Sequence, residues 1–108
     1  MAEALPDDMT IAKRVESFLG GLASHASPAT VDAYRQDLAA LCRFTEHREV
    51  TDPAALDSAL LRTFLGSERS RGLAPRSLAR RRAALSQFAD FLVKQGVLAD
   101  NPVGLLRT

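Results

Sequence analysis

The stretch Ser27–His47, SPATVDAYRQDLAALCRFTEH, decides the fold. Ser27 suits a helix N-cap, because its hydroxyl can accept from a free N–H of the first turn. Pro28 suits the first helical position, where its missing N–H would have had no partner. Val31, Tyr34, Leu38, Leu41, Cys42 and Thr45 then recur at helical spacing and trace one apolar face as far as His47. The spacing predicts a helix of about 20 residues, roughly 30 Å long. One striped face on so long a helix needs other helices to cover it.

The flanking sequence supplies them. Upstream, Ile11, Val15, Phe18, Leu19 and Leu22 predict a helix over Thr10–Ala23, with Asp7, Asp8 or Thr10 as its cap and the run SHASP as its break. Downstream, EVTDPAAL reads as a turn, since Pro53 holds Asp52 extended. A third helix follows from Ala55 or Asp57 to Ser70, turning Leu60, Leu61, Phe64 and Leu65 inward and stopping at Gly72. The fourth runs from Pro75 to Gln95 on a stripe of Leu78, Leu85, Phe88, Ala89 and Leu92, with Gly96 as its stop. LADNPVGLLRT is then expected to leave the core through Asn101-Pro102 without a final element. The sequence carries no strand signal. It predicts an all-α, compact domain of four main helices over residues 10–100, after a flexible N-terminus (1–9).

A chain of 108 residues, 46% apolar and 25% charged, has ordinary single-domain composition. No apolar run approaches the roughly 18 residues of a membrane span, and the first ten residues lack the basic and apolar regions of a secretory signal. The single cysteine, Cys42, sits in a helical pattern and reads as a small core residue of a protein from a reducing compartment. His25 and His47 read as exposed helix-end residues and form no metal-ligand spacing with Cys42. There is no phosphate-cradling glycine loop and no nucleophile elbow. The expectation is a protein that is not an enzyme on its own and uses no cofactor and no metal.

The net charge of +1 conceals an asymmetry. Residues up to Leu60 hold 5 basic and 10 acidic side chains, whereas those from Leu61 onward hold 9 basic and 3 acidic ones. A polyanionic partner for the second half is one explanation. The segment RSLARRRAAL, residues 76–85, concentrates the charge. Centring the fourth helix on Leu78 turns Arg76 and Arg80 outward and sets Arg81 and Arg82 on the two shoulders of the apolar stripe. Arginines crowded into the first turns oppose the helix dipole, and Arg76 and Arg80 repel each other at i,i+4. Phosphate is a natural acceptor for such a row. The alternative is that the row pairs with acids of the first half, such as Asp32 or Asp37, in a helical protein-interaction module with no DNA role.

Two blocks of sequence resemble a known family. FLGGLASHASPATVDAYRQDLAALCRF is similar to the opening of tyrosine recombinases of the XerC/XerD and phage-integrase type, through the frame Ser27, Pro28, Thr30, Tyr34, Arg35, Asp37, Leu38 and Phe44. RGLAPRSLARRRAALSQFADFLVKQGVLADNP resembles the family's next landmark, through Gly72, Ser77, Leu78, Arg81, Leu85, Phe88, Gly96 and Asn101-Pro102. Gln36 and Ser86 depart from it, standing where basic residues are common.

The resemblance implies a SAM-like core-binding domain, a compact bundle of four to five helices followed by the start of a linker (101–108), that clamps one face of a recombination site with its second and fourth helices against double-stranded DNA. It implies DNA contacts from Thr30, Arg35, Arg76, Ser77, Arg80 and Arg81. It also implies a separate catalytic domain that would break and rejoin DNA strands in the cytoplasm, within a synaptic tetramer of recombinase protomers. The isolated domain is expected to be a monomer away from any membrane.

Overall fold

The computed structural model describes residues 10–105, and every helix start in it follows from a local residue choice. Helix α1 (Ile11–Leu22) begins at Thr10, whose hydroxyl accepts from the Lys13 N–H. Helix α2 (Pro28–His47) begins at Ser27, whose hydroxyl accepts from Thr30, with proline in the first turn. Helix α3 (Ser58–Ser70) begins at Asp57, whose carboxylate accepts from the Leu60 N–H at 2.8 Å. Helix α4 (Pro75–Lys94) follows Ala74 and has no side-chain cap. The cap candidates Asp7 and Asp8, the N-terminal segment 1–9 and residues 106–108 of the expected linker lie outside the described residues.

Helices α2, α3 and α4 end in the same way. In each, the amide two residues past the cap bonds back five residues: Val50 to Thr45, Leu73 to Glu68 and Val97 to Leu92. This closure needs one left-handed residue just past the cap. Gly72 (φ 92°) and Gly96 (φ 78°) supply it for α3 and α4. In α2 the place is taken by Glu49 at φ 59°, a conformation that costs an L side chain energy.

Helices α1, α2 and α4 pack on one another, and α3 closes the other side of α4. The core is apolar: Ile11, Val15 and Leu19 of α1, Leu38 and Leu41 of α2, Leu61 and Phe64 of α3, and Leu85, Phe88 and Leu92 of α4. Phe18 meets Phe88 edge-on at 5.8 Å between ring centroids, and Phe44 meets Phe64 at 5.2 Å. Tyr34 lies half-buried on this core with its hydroxyl accepting from Gln87. The described residues contain no strand, and no helix among them is long and apolar enough to cross a membrane.

Three details differ from the sequence expectation. Pro53–Ala55 forms a 3₁₀ turn, capped by the Asp52 carboxylate on the Ala54 N–H, within what the sequence marks only as a turn. The chain does not leave the core at Asn101-Pro102. Pro102–Leu105 is a second 3₁₀ turn, with Pro102 and Val103 buried. Asn101 fastens it: its amide donates to the Ser86 carbonyl and the Asp90 carboxylate, while its own oxygen accepts from the Val103 N–H. Finally, α4 is rotated from its expected orientation. Centring the buried residues Ala84, Leu85, Phe88, Ala89 and Leu92 moves the inward direction by about 50° from Leu78, towards Arg81.

Candidate nucleic-acid interface

That rotation decides where the arginines go. Arg81 falls in phase with Leu85, Phe88 and Leu92 and enters the bundle, its side chain only 11% exposed. Its Nε donates to Asp37 at 3.1 Å, and its Nη1 pairs with Glu68. Asp37 on α2 is fully buried, and Glu68 on α3 nearly so. Arg80, one step round the helix, reaches Asp37 from outside. Its Nε and Nη2 each donate at 2.9 Å to the two carboxylate oxygens, and its side chain stays 39% exposed. This bidentate bond raises the Arg80 pKa further above its ordinary value. Arg71, exposed, closes the far end on Glu68 at 3.2 Å. Five charges thus run in alternating sign across three helices: Arg71, Glu68, Arg81, Asp37, Arg80.

The acids are indispensable to this placement. An arginine brought into a bundle must be paired and hydrogen-bonded, because an isolated buried charge is very costly. The sequence offered a signal for the pairing. Glu68 lies in phase with Leu61, Phe64 and Leu65 of α3, so its helix turns it inward. One carboxylate of the sequence alternative, Asp37, does meet the arginine row, whereas Asp32 is exposed.

The other candidate contacts stand on the surface. Arg76 is exposed in the first turn of α4 and makes no ion pair among the described residues, and Ser77 beside it is half-buried. The first turn of α4 holds no acid. Thr30 is exposed at the start of α2 and exchanges hydrogen bonds with Ser27. Arg35 is exposed and meets Glu16 of α1 at 3.3 Å, a surface pair of small value. The Tyr34–Gln87 and Asp37–Arg80 bonds show that α2 and α4 run past each other in opposite senses. Thr30 therefore lies about 10 Å along α2 from the Asp37 cluster, away from Arg76. The structure gathers Arg80 and Arg81 at one carboxylate and leaves Thr30 and Arg35 apart from them.

A second cationic surface has no signal in the local sequence. An open cleft of about 590 Å³ between α2 and α3 is lined by Arg43, His47, Arg48 and Arg71 over Phe44 and Phe64. The Arg48 guanidinium sits 4.6 Å above the Phe44 ring. These residues come from separate helices, and only packing unites them. Cys42 is half-buried, and burial, reinforced by Glu46 and Glu16, pushes its thiol up to about 11. It is a poor nucleophile at neutral pH. The described residues contain no group of histidine, cysteine and carboxylate side chains able to hold a metal.

Residues 15–96 match the family described as phage integrase, N-terminal SAM-like domain. The chain belongs to this family. It is 65% identical over 94 residues to tyrosine recombinase XerC of Chromohalobacter salexigens, covering 87% of this chain and 32% of that protein. It is 44% identical to XerC of Xanthomonas campestris over 95 residues, 86% of this chain and 30% of that one. Against XerC of Yersinia pestis the identity is 39% over 95 residues, 86% of this chain and 31% of the other. The chain therefore spans about a third of the length of the curated relatives it matches. The N-terminal domain of a phage integrase/site-specific recombinase from Haloarcula marismortui superposes with a TM-score of 0.83 at 19% identity, over 87% of this chain and 91% of that one, and so shares the fold. In this phage integrase N-terminal domain, the two sequence landmarks around Tyr34 and Arg81 fall on α2 and α4, whose sides meet at Asp37.

Proposed function

We propose that this domain binds double-stranded DNA as the N-terminal clamp of a XerC-like tyrosine recombinase. The observation that carries the reading is the start of α4. It is the one α-helix among the described residues whose N-cap offers no side-chain acceptor, and arginine rather than an acid stands in its first turn. Free N–H groups at a helix N-terminus beside arginine favour an anion, and a DNA phosphate supplies the missing cap. Arg76 and Ser77 make these contacts from α4, Thr30 and Arg35 extend them from α2, and Arg80 meets the DNA beside them. Arg81 serves differently, as the brace beneath that surface. Strand breakage and rejoining belong to a catalytic domain of the full-length recombinase, acting in the cytoplasm among other recombinase protomers.

The test is fluorescence anisotropy with a labelled duplex across a salt series. Each phosphate contacted contributes about 0.9 to the slope of log affinity against log salt. The wild type is expected to show a slope of several units, and Arg76→Ala to reduce it by about one. No binding at low salt, together with association of the chain with itself or with a protein partner, would replace this reading with that of a protein-interaction module.

A further inference from the structure

Arg80 has the geometry of a held tool. A guanidinium is a planar fork with five N–H donors. Asp37 takes two of them along one edge, Nε–H and one Nη2–H, at 2.9 Å each. The parallel pair at the opposite end, Nη1–H and the second Nη2–H, is not used by Asp37, and the side chain is 39% exposed. That end-on pair matches the O6 and N7 acceptors of guanine in the major groove. Asp37 is fully buried, so it does not face the groove itself. A second bond from Arg81, at 3.1 Å, offsets its charge from behind. Exposed arginines ordinarily sample many rotamers and lose that freedom on binding.

We propose that Asp37 is a positioning residue that presents the free end of the Arg80 guanidinium as a guanine reader. The inference rests on the DNA-binding reading above and adds base selectivity to it. Phosphate contacts set affinity and register, whereas Arg80 held on Asp37 sets a base preference at one position.

The experiment is selection of a random-sequence duplex pool by the intact chain, followed by sequencing of the bound fraction and anisotropy on the unselected pool. Wild type, Arg80→Lys and Asp37→Asn are compared, with circular dichroism confirming that each is folded at the assay temperature. Wild type is expected to enrich guanine at one fixed position by roughly tenfold or more, the range of a good bidentate pair. Arg80→Lys keeps the charge but not the fork. It is expected to keep the salt slope and to lose the enrichment, any loss of pool affinity being smaller than the loss of guanine preference. Asp37→Asn is expected to weaken the enrichment in the same direction. A wild-type preference that survives in Arg80→Lys overturns the inference, as does pool binding with no enriched base. An Asp37→Asn variant that loses thermal stability but keeps the guanine preference makes Asp37 a brace only and also overturns it. If wild type fails to bind the pool at low salt, the DNA-binding reading itself falls.

Discussion

Arg81 of α4 and Glu68 of α3 form an ion pair in which both side chains are about nine-tenths withdrawn from solvent. Removing one member leaves the other buried with part of its pairing gone: Glu68 keeps only the exposed Arg71, and Arg81 keeps only Asp37. Breaking a buried pair in this way costs about 3–5 kcal/mol. Arg81→Ala and Glu68→Ala are each expected to lower the unfolding free energy by that order in urea titrations. Arg71→Ala, at the exposed end, is expected to cost under about 1 kcal/mol. Equal losses at Arg81 and Arg71 would contradict the burial argument.

The α2 terminus carries avoidable strain. Glu49 occupies the left-handed position that glycine fills in α3 and α4, and it places a negative charge at the negative end of a helix dipole. Glu49→Gly is expected to raise stability by up to about 1 kcal/mol, the strain relieved less the added freedom of the unfolded chain. Gly72→Ala and Gly96→Ala are expected to lose about 1 kcal/mol or more. Thermal melts of the three variants test the set.

Asn101 holds the last 3₁₀ turn against α4 through both ends of its amide. Asn101→Ala is expected to cost about 1–2 kcal/mol, since several partners are left unmatched. Amide exchange at Val103 is expected to rise more than exchange in α1. Unchanged protection there would show that burial of Val103, not the amide, holds the turn.

The thiol of Cys42 has its pKa raised from 9.0 to about 11. The folded state therefore favours the neutral form of the thiol. Its contribution is complete below the unfolded pKa near 9 and is lost as pH rises towards about 11. Thiolate absorbance is expected to titrate near that upper value in the folded protein. Alkylation at pH 8 is expected to be slower than for the unfolded chain, and Cys42→Ala to flatten the alkaline decline in stability.

Helix positions were legible in the sequence because each is decided by nearby residues: Ser27-Pro28 opens α2, and Gly72 and Gly96 close α3 and α4. The Pro102–Leu105 turn was not, because it depends on Asn101 finding Ser86 and Asp90, which packing alone brings within reach. The interior arginine was partly legible. Asp37 stands among the acids available to the row, but a helix centred on Leu78 understates how far Arg81 turns inward. Leu78 is itself only half-buried. Glu68 carries the local signal for it, a charge in phase with an apolar stripe and so in need of a partner. Arg43, Arg48 and Arg71 form one surface only after α2 and α3 meet, so no local spacing announces them.

The alternating chain from Arg71 to Arg80 also has a thermal meaning. The desolvation penalty that opposes a buried ion pair shrinks on heating, while apolar burial stops gaining strength. Asp37, Glu68 and their arginines should therefore carry a growing share of the domain's cohesion as temperature rises. A variant that breaks the junction of α2, α3 and α4 should lose a larger fraction of its stability near the melting point than at about 25 °C.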